Sequence, residues 1–159
     1  MRAQAPAVAK WHLDGMNYVF TMPLSDHADH SGGDYIYFQG HPREFDTDRE
    51  EITTRGPDHP RVKTAPFQHV GDTMFTRGSR VYHAVTPVTR GDRITLAVSL
   101  FCPLLGKQDE NRFWHSAPDD GLLRTLRNWG ELRRAVHRPA AYCRREGIPI
   151  LPLKKHTRP

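Results

Sequence analysis

Tyr82-His83-Ala84-Val85-Thr86-Pro87-Val88-Thr89-Arg90-Gly91-Asp92-Arg93-Ile94-Thr95-Leu96 is the stretch whose reading decides the fold. Apolar and β-branched residues flank Arg90-Gly91-Asp92, which predicts a strand, a tight turn and a second strand returning beside the first. Such a hairpin brings His83 and Arg93 into one pocket. An imidazole is a metal ligand, and a guanidinium grips a carboxylate with two parallel hydrogen bonds.

Upstream, Trp11-His12-Leu13-Asp14 adds a second imidazole and a carboxylate. A short strand over 7–11 leads into it. Two residues apart on a strand, His12 and Asp14 point to the same face, as a chelating pair requires. Two histidines and one carboxylate with open positions suit non-haem Fe(II) that activates oxygen.

The strand after the turn alternates. Ile94, Leu96, Val98 and Leu100 share one face and are expected to pack on a second layer. Arg93, Thr95, Ala97, Ser99 and Phe101 share the other, whose small side chains leave room for a ligand beside Arg93. A cation on that face needs a partner.

Further strands are expected over 17–24 and 34–38, with a polar loop, 25–33, between them. Residues 39–66 are charged and broken by Pro and Gly, which reads as a structureless insertion, either a lid or a mobile surface loop. Residues 67–75 suggest two short strands around Gly71-Asp72, with His69 at the surface. Ser116-Ala-Pro-Asp-Asp opens a helix that carries Leu122, Leu123, Leu126, Trp129, Leu132 and Val136 at helical spacing to Arg138-Pro139. This stripe is expected to pack against the outside of the sheet. A second short helix, 139–146, stops at Gly147, and 148–153 is extended.

The chain has 159 residues, 37% of them hydrophobic, and a mean hydropathy of −0.68. That suffices for one core and excludes an apolar membrane span. The first ten residues lack the apolar centre of a secretory signal. Two cysteines, Cys102 and Cys143, make no disulfide framework and predict an intracellular, cytoplasmic protein. Residues 124–159 hold ten Lys/Arg against Glu131 and Glu146, a surplus of eight that leaves the rest of this +5 chain at −3. Nucleic acid is conceivable there but not favoured, because no aromatic-interleaved basic stripe accompanies it.

His12-x-Asp14, then Gly32-Gly33, then His83-x-Val-x-Pro-Val-x-x-Gly-x-Arg93 resembles the Fe(II)/2-oxoglutarate-dependent oxygenases, in particular their prolyl-4-hydroxylase-like branch. The resemblance covers about residues 10–103. It implies a double-stranded β-helix (jelly roll) over 1–103, with 104–159 as helical support and basic tail of the same domain. It implies that His12, Asp14 and His83 bind Fe(II), and that Arg93 with Thr95 binds the distal carboxylate of 2-oxoglutarate. The implied reaction hydroxylates a C–H bond using O2, releasing succinate and CO2, with ascorbate as a conceivable accessory. Substrate class, protein or small molecule, is left open. The rival pair His27/Asp29 lacks the strand that the family pattern places before Gly-Gly, so His27, Asp29 and His30 are read as a solvated loop. The family carries more chain before H-x-D than the eleven residues here, which predicts an uncovered sheet face and a marginal or homo-oligomeric fold. The competing class is a non-catalytic, cupin-like metal-binding or interaction module.

Overall fold

The structure is a computed structural model. It describes residues 9–100, 110–112 and 121–147, without the side chains of 129, 132–140, 142 and 143. The chain divides into two units, Met1–Leu100 and Phe101–Pro159.

The first unit is mainly β, and every strand pair is antiparallel. Strands β1 (Ala9–His12), β7 (His83–Val85), β4 (Tyr35–Phe38) and β5 (Val62–Thr64) lie in that order in one sheet. A second sheet orders β6 (Met74–Thr76), β2 (Tyr18–Pro23) and β9 (Thr95–Leu100). A two-stranded piece pairs β3 (Ser31–Gly32) with β8 (Val88–Arg90).

The four-stranded sheet is covered on both faces because its strands alternate two apolar sets. On one side Ile36, Phe38, Val62 and Ala84 bury against Phe45 and Ile52. On the other, Tyr35 and Val85 pack with Ala65, Tyr37, Phe67 and Met74 of β6. The Tyr35 hydroxyl donates to Thr76 Oγ1 at 3.3 Å, tying β4 to the three-stranded sheet.

The expected hairpin is not formed. β7 pairs with β1 and β4, β8 with β3, and β9 with β2, so the chain changes sheet at Thr86-Pro87 and again at Arg90-Gly91-Asp92. Gly32 and Gly33, at φ 71° and 73°, allow this crossing. A Cβ on Gly32 would strike the Pro87 carbonyl, and one on Gly33 the Arg93 side chain.

The segment 39–66 is not a structureless lid. It forms α1 (Pro42–Thr47), α2 (Arg49–Arg55), a 3-10 turn (Gly56–Asp58) and β5. The start of α1 is capped reciprocally: His41 Nδ1 accepts from the Arg43 amide at 3.2 Å, and Glu44 accepts from the His41 amide at 2.6 Å. Pro42 sits at the first helical position, where its missing N–H costs nothing. Phe45 and Ile52, one heptad apart, are both 0% exposed. They were hidden in the sequence by the charges around them.

Two smaller expectations also change. Residues 67–73 form a loop closed by Asp72, which accepts from the Gln68 and His69 amides, so only β6 follows. Ile94, Leu96, Val98 and Leu100 are exposed rather than packed on a second layer, and Phe75 beside them is 59% exposed. Ala97 and Ser99, expected inside, are exposed as well.

In the second unit, Leu122–Arg145 is a single helix, α3, which continues through Pro139 where a break was expected. Leu122, Leu123 and Leu126 are exposed, not packed as a core stripe. The expected helix start at 116–120, the extended 148–153 and the side chains of Trp129, Leu132 and Val136 lie outside the described residues. No helix among the described residues is long and apolar enough to cross a membrane.

Candidate metal centre

His12 closes β1 and His83 opens β7, and the two face each other in register. The residue before each histidine points the other way. Trp11 and Tyr82 both pack on Phe45, with ring centroids 5.2 and 4.0 Å away. Arg49 donates to the Tyr82 hydroxyl at 2.9 Å. Residues 42–55 therefore clamp Trp11 and Tyr82 on the helical side, and strand alternation turns both imidazoles to the opposite face.

There the imidazole centroids lie 4.3 Å apart. Asp14 Oδ1 is 3.4 Å from His12 Nε2 and 3.4 Å from His83 Nε2. One ligand atom from each of the three residues falls within 4.8 Å of the others, so this group can hold a metal ion. Ligands at right angles around a first-row metal sit about 3 Å apart for bonds of about 2.1 Å. A small side-chain adjustment closes the difference.

The hydrogen bonds fix the chemistry of the nitrogens. His12 Nδ1 is 2.7 Å from the Lys10 carbonyl and His83 Nδ1 is 2.9 Å from that of Val81. A carbonyl accepts only, so both Nδ1 atoms donate. With Nδ1 committed, each ring aims Nε2 at Asp14: a bare lone pair when the ring is neutral, the orientation metal-ligating histidines adopt, and an N–H donor to the carboxylate when it is protonated. Burial pushes the Asp14 carboxyl up, but hydrogen bonds from His12 and His83 outweigh it and hold the group well below the usual carboxylate range. The hydrogen bond to Asp14 raises His12 above its ordinary value against the opposing effect of burial. Asp14 Oδ2 is buried with no hydrogen-bond partner. A converging acceptor set that gathers a proton, with a spare carboxylate oxygen, fits a divalent cation.

Gly78 was not foreseen as part of this site. Its carbonyl accepts from the Asp14 amide at 2.9 Å, and a Cβ there would run into the Asp14 carboxylate. The sequence signal was only a glycine in a Thr-Arg-Gly-Ser turn. Tyr35 was also missed as a site residue. Its ring stacks on His83 at 5.4 Å, and burial pushes its hydroxyl up to about 12.

Tyr35 also lines a cavity of about 110 Å³, together with Arg93, His27, His30, Gly33 and Asp34. Arg93 is half-buried, and burial lowers its guanidinium while the Asp34 carboxylate opposes that. No hydrogen bond or ion pair to Arg93 is present among the described residues, although the Asp34 carboxylate acts on it electrostatically. Thr95 does not line the cavity, although its Oγ1 is buried without a partner. His27 and His30 are not a solvated loop. His30 is 6% exposed, and both rings contribute to the cavity wall.

Compared with models of known protein families and with curated protein sequences, the chain matches none.

Proposed function

We propose that the chain is an Fe(II)- and 2-oxoglutarate-dependent dioxygenase on a double-stranded β-helix, hydroxylating a C–H bond of a substrate. The reading is carried by one observation: His12 Nε2, Asp14 Oδ1 and His83 Nε2 converge with both Nδ1 atoms committed to backbone carbonyls. Two opposed antiparallel sheets, with strands switching between them, support the jelly-roll reading.

When bound, Fe(II) supplies oxygen activation and oxidising power. His12 Nε2, Asp14 Oδ1 and His83 Nε2 would hold it, and three protein ligands would leave the metal able to take a cosubstrate and O2. Arg93, unpaired and half-buried at its cavity, takes the distal carboxylate of 2-oxoglutarate, and the orphan Thr95 hydroxyl lies two residues on. Tyr35 stays neutral, stacks on one face of His83 and lines the Arg93 cavity. Overall, substrate C–H, 2-oxoglutarate and O2 give C–OH, succinate and CO2; one oxygen atom enters the alcohol and the other the succinate carboxylate. The carboxylate at position 14 fills a coordination site that a halide would otherwise need, which favours hydroxylation.

Uncoupled turnover tests this. Purified chain with Fe(II), ascorbate as reductant, O2 and 2-oxoglutarate should form succinate, and His83→Ala should not. A chain that binds metal with all three residues and yet forms no succinate supports the alternative, a non-catalytic metal-binding module.

A further inference from the structure

The four-stranded sheet carries a second cavity, on the face opposite the metal centre. Strand alternation turns His12 and His83 to one side, and Trp11, Ala84 and Ile36 to the other. Phe45 and Ile52 fill part of that other side. Beside them a hollow of about 620 Å³ is floored by Trp11, Ala84 and Ile36 and walled by Arg49, Thr53 and Arg55 of α2. Small-molecule sites run from about 300 to 1,000 Å³. His12, Asp14 and His83 do not line this hollow, so the proposed reaction makes no use of it.

Shape and charge define the occupant. Ala84 brings only a methyl group between Trp11 and Ile36, so the floor is an apolar trough across the neighbouring strands β1, β7 and β4. Two inter-strand gaps of about 4.8 Å make the trough roughly 10 Å long. Among the described residues no carboxylate lines the hollow, whereas three cations do: Lys10, Arg49 and Arg55. Two of the three are already paired. Arg49 Nη2 lies 2.6 Å from Asp46 Oδ1, and Arg55 Nη1 lies 3.0 Å from Glu51 Oε1. The Lys10 ammonium, at an exposed position of β1, has no hydrogen bond or ion pair among the described residues. One unpaired positive charge at the rim of an apolar trough is complementary to one negative charge on an apolar body.

We propose that this hollow binds a monocarboxylate with an unbranched apolar chain, the chain lying along Trp11, Ala84 and Ile36 and the carboxylate on Lys10. Binding of this kind needs neither a metal nor a 2-oxo acid, so it holds whether or not the chain is an oxygenase. One other apolar surface competes for such a molecule: the exposed face of Leu96, Val98, Leu100 and Phe75. A test must therefore separate the hollow from that face.

Calorimetry of the full chain with octanoate, and with octylammonium, which has the same body and the opposite charge, makes that separation. Octanoate should saturate one site per chain, more weakly as salt screens the exposed charge, and octylammonium should not bind there. Lys10→Glu should raise the Kd for octanoate about two- to tenfold. Thr53→Phe, which places a ring in the hollow from an exposed position of α2, should abolish binding, and Phe75→Ser should leave it unchanged. All three positions are exposed, so the variants should fold, and an unchanged circular dichroism spectrum checks this. Octanoate binding kept in Thr53→Phe and lost in Phe75→Ser would move the site to the β9 face and overturn the proposal. So would equal affinity for octylammonium. The absence of saturable octanoate binding in the wild-type chain, as when another part of the chain occupies the hollow, would overturn it without any variant.

Discussion

Gly78→Ala places one methyl group against Asp14 without replacing a proposed ligand. Gly78 does not have a positive φ, so alanine carries no backbone strain there. Its Cβ, however, would overlap the Asp14 carboxylate, which must retreat to ordinary van der Waals contact. Metal–ligand distances tolerate only about 0.2 Å. Disturbing a group that positions a ligand typically costs about 10–100-fold in metal affinity. In free energy that is about 1.4–2.7 kcal/mol. In the metal-free chain the same overlap, which also reaches Asp14 Cβ, works against the about 0.4–1 kcal/mol that replacing glycine by alanine at an allowed φ gains through the unfolded state. Anaerobic calorimetry with Mn(II), a redox-quiet stand-in for Fe(II), reads the affinity; urea unfolding of the metal-free chain reads the fold. Weakened Mn(II) binding at near-unchanged urea stability is the expected pair of results. Wild-type Mn(II) affinity in Gly78→Ala would refute the argument that Gly78 seats the carboxylate.

Phe45→Ala should cost about 3–5 kcal/mol in urea unfolding, the range for a fully buried aromatic, whereas Phe75→Ala on the exposed face should change stability by about 0.5 kcal/mol or less. Equal effects would return 39–66 to the status of a surface loop. Arg93→Met should raise the Kd for 2-oxoglutarate about 10–150-fold while leaving Mn(II) affinity unchanged, the span of about 1.5–3 kcal/mol for a hydrogen bond to a charged group; an unchanged Kd would remove Arg93 from the site. The metal-free fold should show two opposed pH effects. Asp14, held below its unfolded value of 3.8, contributes stability present above that pH and lost as pH falls. His12, held above 6.5, contributes stability present below that pH and lost as pH rises through its folded value. Thermal melts of wild type, His12→Gln and Asp14→Asn across pH 3–9 check this; a Tm difference constant with pH would contradict it.

The site was legible where chemistry is written in residue type. His12, Asp14 and His83 were singled out by residue type together with the resemblance to the oxygenase family, H-x-D alone being a weak signal, and the fold brings the three together. Arg93 was singled out because a cation interrupts the small-residue face of a strand; in the fold it lines a cavity beside Tyr35. The connectivity was not legible. Both a hairpin and a sheet-switching crossover show apolar runs around Arg90-Gly91-Asp92, and only the partners far upstream, Tyr18–Pro23 for β9 and Ser31–Gly32 for β8, distinguish them. The helical clamp was missed because Phe45 and Ile52 are isolated apolar residues in a charged stretch. Two buried side chains one heptad apart give a weak periodic signal, yet His41-Pro42-Arg43-Glu44 held a helix-start signature. His27 and His30 were missed because a polar loop is ordinarily solvated. Here it turns inward over a cavity, which no local pattern records.

The central claim is that His12, Asp14 and His83 hold Fe(II) beside a 2-oxo acid anchored on Arg93. Anaerobic titration of the chain with Fe(II) and 2-oxoglutarate tests it most directly, through the weak visible charge-transfer band of a chelated 2-oxo acid. The account predicts the band in wild type, its absence in His83→Ala, and its appearance only at higher 2-oxoglutarate in Arg93→Ala. A folded wild-type chain that binds Fe(II) and shows no band at saturating 2-oxoglutarate would contradict it.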